Sequence, residues 1–146
     1  MAQPHNTPSI AINGVFHEPP HTVLPAGSCD CHTHVFGPTE LYPLAEDRQY
    51  TPDQARLEDM LRLHDQLGIE RVVIVQPSPF GSDNSCTVDA LLALGERGRG
   101  IAVINEKTSD KELQVMHDAG VRGVRINLET DGIHDTEFAT RQLLWT

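Results

Sequence analysis

Four short apolar runs punctuate the chain, and stretches with apolar positions every three or four residues separate them. The first run lies around Ser28–His34. The second, "ERVVIVQP", is a β-branched block bounded by Gly68 and Pro77. The third is "GIAVIN", Gly100–Asn105, and the fourth is "VRGVRINL", Val121–Leu128. Nearly continuous apolar runs of this kind suit strands of a parallel sheet, which is covered on both faces.

The stretches between them read as helices. In "YTPDQARLEDMLRLHDQLG", Thr51 stands at the N-cap position, Pro52 at the first helical position and Gln54 three residues after the cap, a capping-box arrangement. Leu57, Met60, Leu61, His64 and Leu67 share one face, and Gly68 fits the left-handed position that closes a helix. Asn84–Glu96 predicts a second helix with Val88, Leu91 and Leu92 inward. In "SDKELQVMHDAG", Ser109 and Glu112 form another capping box, and Gly120 closes it. Asp135 caps a last helix, "DTEFATRQLLWT". His64 and His117, distant from the strand ends, read as helix-surface residues. His134, beside Asp135, reads as part of a helix entry, and His5, His17 and His21 carry no motif.

The order is therefore βαβαβαβα, with the later strands spaced at about the length of one βα unit. Such alternation means an α/β fold with right-handed crossovers. Two architectures satisfy it: a small open doubly wound sheet, or the first half of a (β/α)8 barrel. Residues 1–27 carry five prolines and little periodicity, so they read as an extended leader before a domain spanning 28–146.

Bulk properties narrow the function. A chain of 146 residues holds one ordinary domain. Its formal charge of -10 argues against a nucleic-acid or anionic-membrane surface, which needs a basic field. A few buried arginines can still hold an anionic small molecule. The N-terminus lacks the basic and apolar regions of a signal peptide, and no run approaches the ~18 apolar residues of a membrane helix. A cytoplasmic location is expected. Three cysteines, Cys29, Cys31 and Cys86, make an odd count that does not suggest a disulfide framework.

The chemistry concentrates in "SCDCHTHVFGP", where Cys29, Asp30, Cys31, His32 and His34 crowd together. On a strand, side chains alternate between faces. Asp30, His32 and His34 then point one way, into a cavity at the strand's end, and Cys29, Cys31 and Thr33 the other, with the cysteines packing toward the helices as small hydrophobes. Both imidazoles can approach one metal ion or one substrate oxygen. A compact C-x-C, H-x-H zinc knot competes with this reading, but it needs a turn and has tighter spacing than ordinary structural zinc sites. Plain loop histidines are the third reading.

The motif D-x-H-x-H on a first strand resembles the entry motif of the amidohydrolase superfamily, whose members are (β/α)8 barrels that hydrolyse esters, lactones and amides. "CDCHTHVFGP", "YPLAEDRQYTP", "QPSPFGSDN" and "HDAGVRGVRIN", in that order, are similar to the 2-pyrone-4,6-dicarboxylate lactonase group across about residues 25–130. The resemblance selects the half-barrel. It implies that His32 and His34 are catalytic. They would either bind a divalent metal such as zinc or polarise a lactone carbonyl without an obligatory metal. It further implies that Tyr50, Ser78 and Arg125 contact substrate, with Arg125 gripping a carboxylate of a small lactone or ester. Position supports this independently: Ser78 ends the second strand, and Arg125 shares a face of the fourth with Gly123 and Asn127. Blander roles are a salt bridge from Arg125 to Asp30 or Glu129, a turn hydroxyl for Ser78 and a packed ring for Tyr50.

One position departs from the group. Where its members carry a second arginine after the "GVRxN" strand, this chain aligns Asp131, which would repel a second carboxylate. A substrate with fewer negative charges is expected. A full barrel takes about 250 residues, and the group's later histidines and catalytic aspartate lie beyond these four strands. Little turnover is therefore expected of residues 1–146 alone, and the open half invites self-association. A zinc-dependent non-oxidative decarboxylase and a non-catalytic half-barrel module are the alternative functions.

Overall fold

Four parallel strands form the centre of the molecule: β3 (Cys29–Thr33), β4 (Arg71–Val75), β5 (Gly98–Ala102) and β6 (Val121–Val124). They lie in sequential order, each beside the next. Helices α1 (Leu57–Leu67), α2 (Ser85–Leu94) and α3 (Asp110–Ala119) connect them. A final helix, α4, covers Thr136–Leu143. The computed structural model describes residues 10–12, 15–18, 21–128 and 136–144. Among these, no helix is long and apolar enough to cross a membrane.

Strand order decides between the two architectures. A doubly wound sheet reverses direction at a switch point and places helices on both faces. Here the order never reverses, and α1, α2 and α3 all contribute to the core that covers Val72 and Ile74. Helices on one face of a sequential parallel sheet are the pattern of a (β/α)8 barrel wall. The four strands make half of one.

Two glycines set the depth of that core. Leu91 and Leu94 of α2 are buried over β5, where Gly98 and Gly100 alternate on the helix-facing side. A Cβ at Gly100 would stand 2.4 Å from Leu91 Cδ1, and one at Gly98 would stand 2.9 Å from Leu94 Cβ. The bare backbone of β5 is therefore what lets α2 descend to van der Waals contact.

Several expectations need correction. Helix α1 begins at Leu57, so Thr51 is not its N-cap and the proposed capping box does not form. The backbone of Ala55 is instead bound to Phe36 in both directions, at 2.8 and 3.1 Å, which holds the preceding residues extended. Thr51 Oγ1 accepts from Arg48, and the Gln54 side chain accepts from Arg56. The box at Ser109 and Glu112 forms as expected, and Gly68 and Gly120 take left-handed conformations at their helix ends. Leu92 faces out, 63% exposed, because the buried stripe of α2 runs through Cys86, Thr87, Ala90, Leu91 and Leu94. The fourth strand stops at Val124, four residues short of its apolar run. Within the leader, β1 (Ile10–Ile12) and β2 (Val15–His17) pair as an antiparallel hairpin that the proline-rich sequence did not suggest. His5, Glu129, Asp131, His134 and Asp135 lie outside the described residues.

Gly100→Ala is expected to lower stability by about 1–3 kcal/mol, the usual cost of overpacking a filled core. Urea denaturation followed by circular dichroism measures it. A change under half that size would mean that Leu91 yields freely.

Candidate active site

The first strand does not alternate simply. Asp30 pairs with Val72 and Thr33 with Ile74, so three steps on β3 span two on β4. This is a β-bulge, and it re-aims the side chains after it. Asp30 shares a face with Val72, toward the helices, and does not point with the histidines into a cavity as the alternation predicted. Its Oδ2 lies 3.0 Å from Nε2 of His64 on α1. His64 is buried, 3% exposed, and is not the surface residue expected. Asp30 Oδ1 accepts the backbone N–H of His32 at 3.2 Å. One carboxylate thus ties the helix layer to the bulge. Cys29 and Cys31 are exposed rather than packed under the helices, since Asp30 occupies the place they were given. Cys86 is the buried cysteine, its thiol 3.7 Å from the carbonyl of Val35.

His34 follows the strand and lies half-buried at its C-terminal end. Its Nδ1 is 2.7 Å from the carbonyl of Val75. A carbonyl only accepts, so Nδ1 carries the hydrogen, and in the neutral ring Nε2 keeps its lone pair. Burial pulls the His34 pKa below the ordinary histidine range. The nearby charges of His32 and Arg125 add to this, while the Val75 bond opposes it. His34 is therefore a neutral imidazole at neutral pH, its lone pair available to a proton or a metal. His32, exposed, stands edge-on to it, with ring centroids 5.3 Å apart and planes at 85°.

A cavity of about 460 Å³ opens at the C-terminal ends of the strands. Ser78, Ser82, Asn105, Arg125 and Asn127 line it, each just beyond a strand's C-terminal end or in the loop that follows, and Arg48 enters from the loop before α1. The structure thus brings Ser78 and Arg125 together. His32, His34 and Tyr50 are not among the lining residues, although Arg125 is near enough to His34 to depress its pKa. Tyr50 is 45% exposed, next to Gln49, which does line the cavity.

The residue that organises this end of the sheet is Gln76, which sequence reasoning missed. It is fully buried. Its amide nitrogen donates to the carbonyls of Asp83, at 2.7 Å, and Gly81, at 3.4 Å, and its amide oxygen accepts from Thr87 at 2.6 Å. Its backbone carbonyl accepts from the Arg125 guanidinium at 3.1 Å. Arg125 is therefore held by a neutral acceptor, while Asp30, one of its expected acidic partners, is engaged with His64. Asn84 performs a similar service nearby: its amide exchanges two hydrogen bonds with the backbone of Val103, at 2.8 and 3.0 Å. The available signal was a polar amide ending an otherwise apolar strand.

A divalent metal needs more than this half supplies. Among the described residues, no three His, Cys, Asp or Glu side chains converge. His32 and His34 offer two imidazoles, short of the three protein ligands of an ordinary catalytic zinc site.

Against known proteins, residues 29–145 match the family model described as Amidohydrolase, and the chain belongs to that family. It is 48% identical over 108 residues to a 2-pyrone-4,6-dicarboxylate hydrolase of Comamonas testosteroni, a match covering 74% of this chain and 35% of that protein. It is 43% identical over 125 residues to a 4-sulfomuconolactone hydrolase of Rhizobium radiobacter, covering 84% and 42%. The apo crystal structure of an Agrobacterium tumefaciens protein superposes with a TM-score of 0.68 at 30% identity, covering 78% of this chain and 42% of that one. The chain thus spans less than half the length of these relatives, in agreement with four strands of an eight-stranded barrel.

Two measurements test the site. Asp30→Leu is expected to cost about 1–3 kcal/mol in urea denaturation, because it leaves the buried His64 nitrogen without its partner; a neutral result would dissolve the link between α1 and the bulge. His34 is expected to titrate below 6.5 by NMR. Because its folded pKa is depressed, the unfolded chain binds the proton first. Stability is full above the unfolded pKa and falls as pH drops through it, and His34→Gln should flatten that slope.

Proposed function

We propose that the site belongs to a hydrolase that opens a lactone or ester of a carboxylated small molecule, and that residues 1–146 hold its carboxylate anchor and its first pair of histidines. The observation that carries this is Arg125, a guanidinium fixed by a backbone carbonyl at the mouth of a polar cavity beside a neutral histidine. A guanidinium so held retains the parallel donors that match a carboxylate. The matched relatives named as lactone and pyrone-dicarboxylate hydrolases support the same reading and favour it over decarboxylation.

In this reading Arg125 orients the substrate, Ser78 donates a hydrogen bond to it, and Tyr50 closes over it from the loop before α1. His34, with its Nε2 lone pair outward, accepts a proton or joins a metal rather than donating to the carbonyl. His32 is the partner free to donate. A divalent ion such as zinc would take these two imidazoles and find its other ligands in the remaining strands of a longer protein. The substrate is a small cytoplasmic metabolite rather than a nucleic acid or a membrane. Strands β3 and β6 form the two edges of the sheet, so a second copy of the chain could also occupy the open side.

Proton-release assays on a panel of carboxylated lactones test the function. A chain continued through the remaining strands of a relative is expected to turn over at least one of them, with activity lost in His34→Ala and KM raised at least tenfold in Arg125→Ala. Residues 1–146 alone are expected to show little or no turnover. Robust lactonase activity from a monomer of 1–146, as sized by light scattering and abolished by His32→Ala, would overturn the division of the site between halves.

A further inference from the structure

Two guanidinium groups, not one, open into the cavity: Arg125 after β6 and Arg48 in the loop before α1. Neither is in an ion pair among the described residues, where Arg62, His64 and Arg97 pair with Asp59, Asp30 and Asp65. Both are fixed by neutral acceptors. Arg48 Nε donates to Thr51 Oγ1 at 3.0 Å and its Nη1 to the carbonyl of Ala45 at 2.9 Å. Such bonds set the orientation of the plane without neutralising the charge, and a guanidinium with five donors has others to spare. Asp47 and Asp83 also reach the cavity, but neither bonds to these arginines, and Asp83 Oδ1 already accepts the backbone N–H of Ser85 at 3.0 Å.

We propose that Arg48 is a specificity-determining residue that holds a second anionic group of the substrate, a carboxylate or a sulfonate, while Arg125 holds the first. This rests on the reading of Arg125 given above. It revises the expectation drawn from Asp131: the cation missing after the fourth strand is supplied from the loop after the first. Thr51 and Ala45 acquire a purpose in this arrangement. They pre-orient a long, flexible side chain that would otherwise lose rotamer freedom on binding. The preferred ligand bears two anionic groups rather than one.

Calorimetric titration of residues 1–146 at low ionic strength tests this with three unreactive rings: benzoate, isophthalate and 3-sulfobenzoate. The reading is the ratio of affinities within one protein. At least one dianion is expected to bind roughly tenfold or more tightly than benzoate, as one additional charge-assisted contact would give. Arg48→Gln is expected to bring that ratio close to one, with the fold checked by circular dichroism. A margin for either dianion that Arg48→Gln abolishes supports the assignment and names the second group. A margin for neither, or one that survives Arg48→Gln, overturns it. Arg125→Gln serves the separate question, because it must weaken benzoate itself. If it does not, the carboxylate anchor fails while the Arg48 ratio still judges Arg48.

Discussion

The extra residue in β3 determines where the side chains that follow it go. Without the bulge, strict alternation would carry His32 to the helix side with Asp30. Asp30 itself, ahead of the bulge and in register with Val72, faces the helix layer, meets the buried His64 and uses its second oxygen to hold the backbone of His32, while the bulge brings Thr33 into register with Ile74. The histidine pair at the strand end is therefore anchored through a hydrogen-bonded chain that begins inside a helix. Such a chain resists the local fraying that an edge strand would otherwise suffer, since its members are mutually satisfied in a partly dry environment.

The other strand ends are held in a comparable way by amides. Gln76 gathers the loop after β4 and offers its carbonyl to Arg125; Asn84 joins the start of α2 to the stretch after β5. Neutral groups suit this task. An acid used to hold Arg125 would cancel the charge that a ligand needs to meet, whereas a carbonyl leaves it in place. The same logic applies to His34, whose hydrogen bond to Val75 fixes the ring while burial keeps it uncharged.

Much of the architecture was legible because it rests on local rules. Apolar runs located the four strands, the Ser109 box and the two terminal glycines located helix ends, and the motif order pointed to a barrel wall. The errors arose where a distant segment overrode a local preference. Thr51 looked like a cap until Phe36 claimed the backbone of Ala55. His64 looked solvent-facing by its distance from the strand ends, although the apolar periodicity of its helix already placed it on the inner face. Strand-end position in the sequence placed Ser78 and Arg125 where the structure brings them to one cavity, but it did not show what supports them. Gln76, Asn84 and Asp30 act through partners that sequence spacing does not reveal, and Arg48 enters the cavity by the course of a loop.

The contact between Gly100 and Leu91 has a consequence for descent. A residue larger than glycine at position 100 has nowhere to go unless position 91 shrinks in the same lineage, and each change made alone passes through a weakened intermediate. The two positions should therefore be inherited as a unit and drift slowly. Exposed loop side chains at the strand ends meet no such steric limit, although Gln76 and Asn84 bind their loops to the buried strands. A lineage can exchange the exposed positions one at a time while the helix spacing of the wall stays fixed.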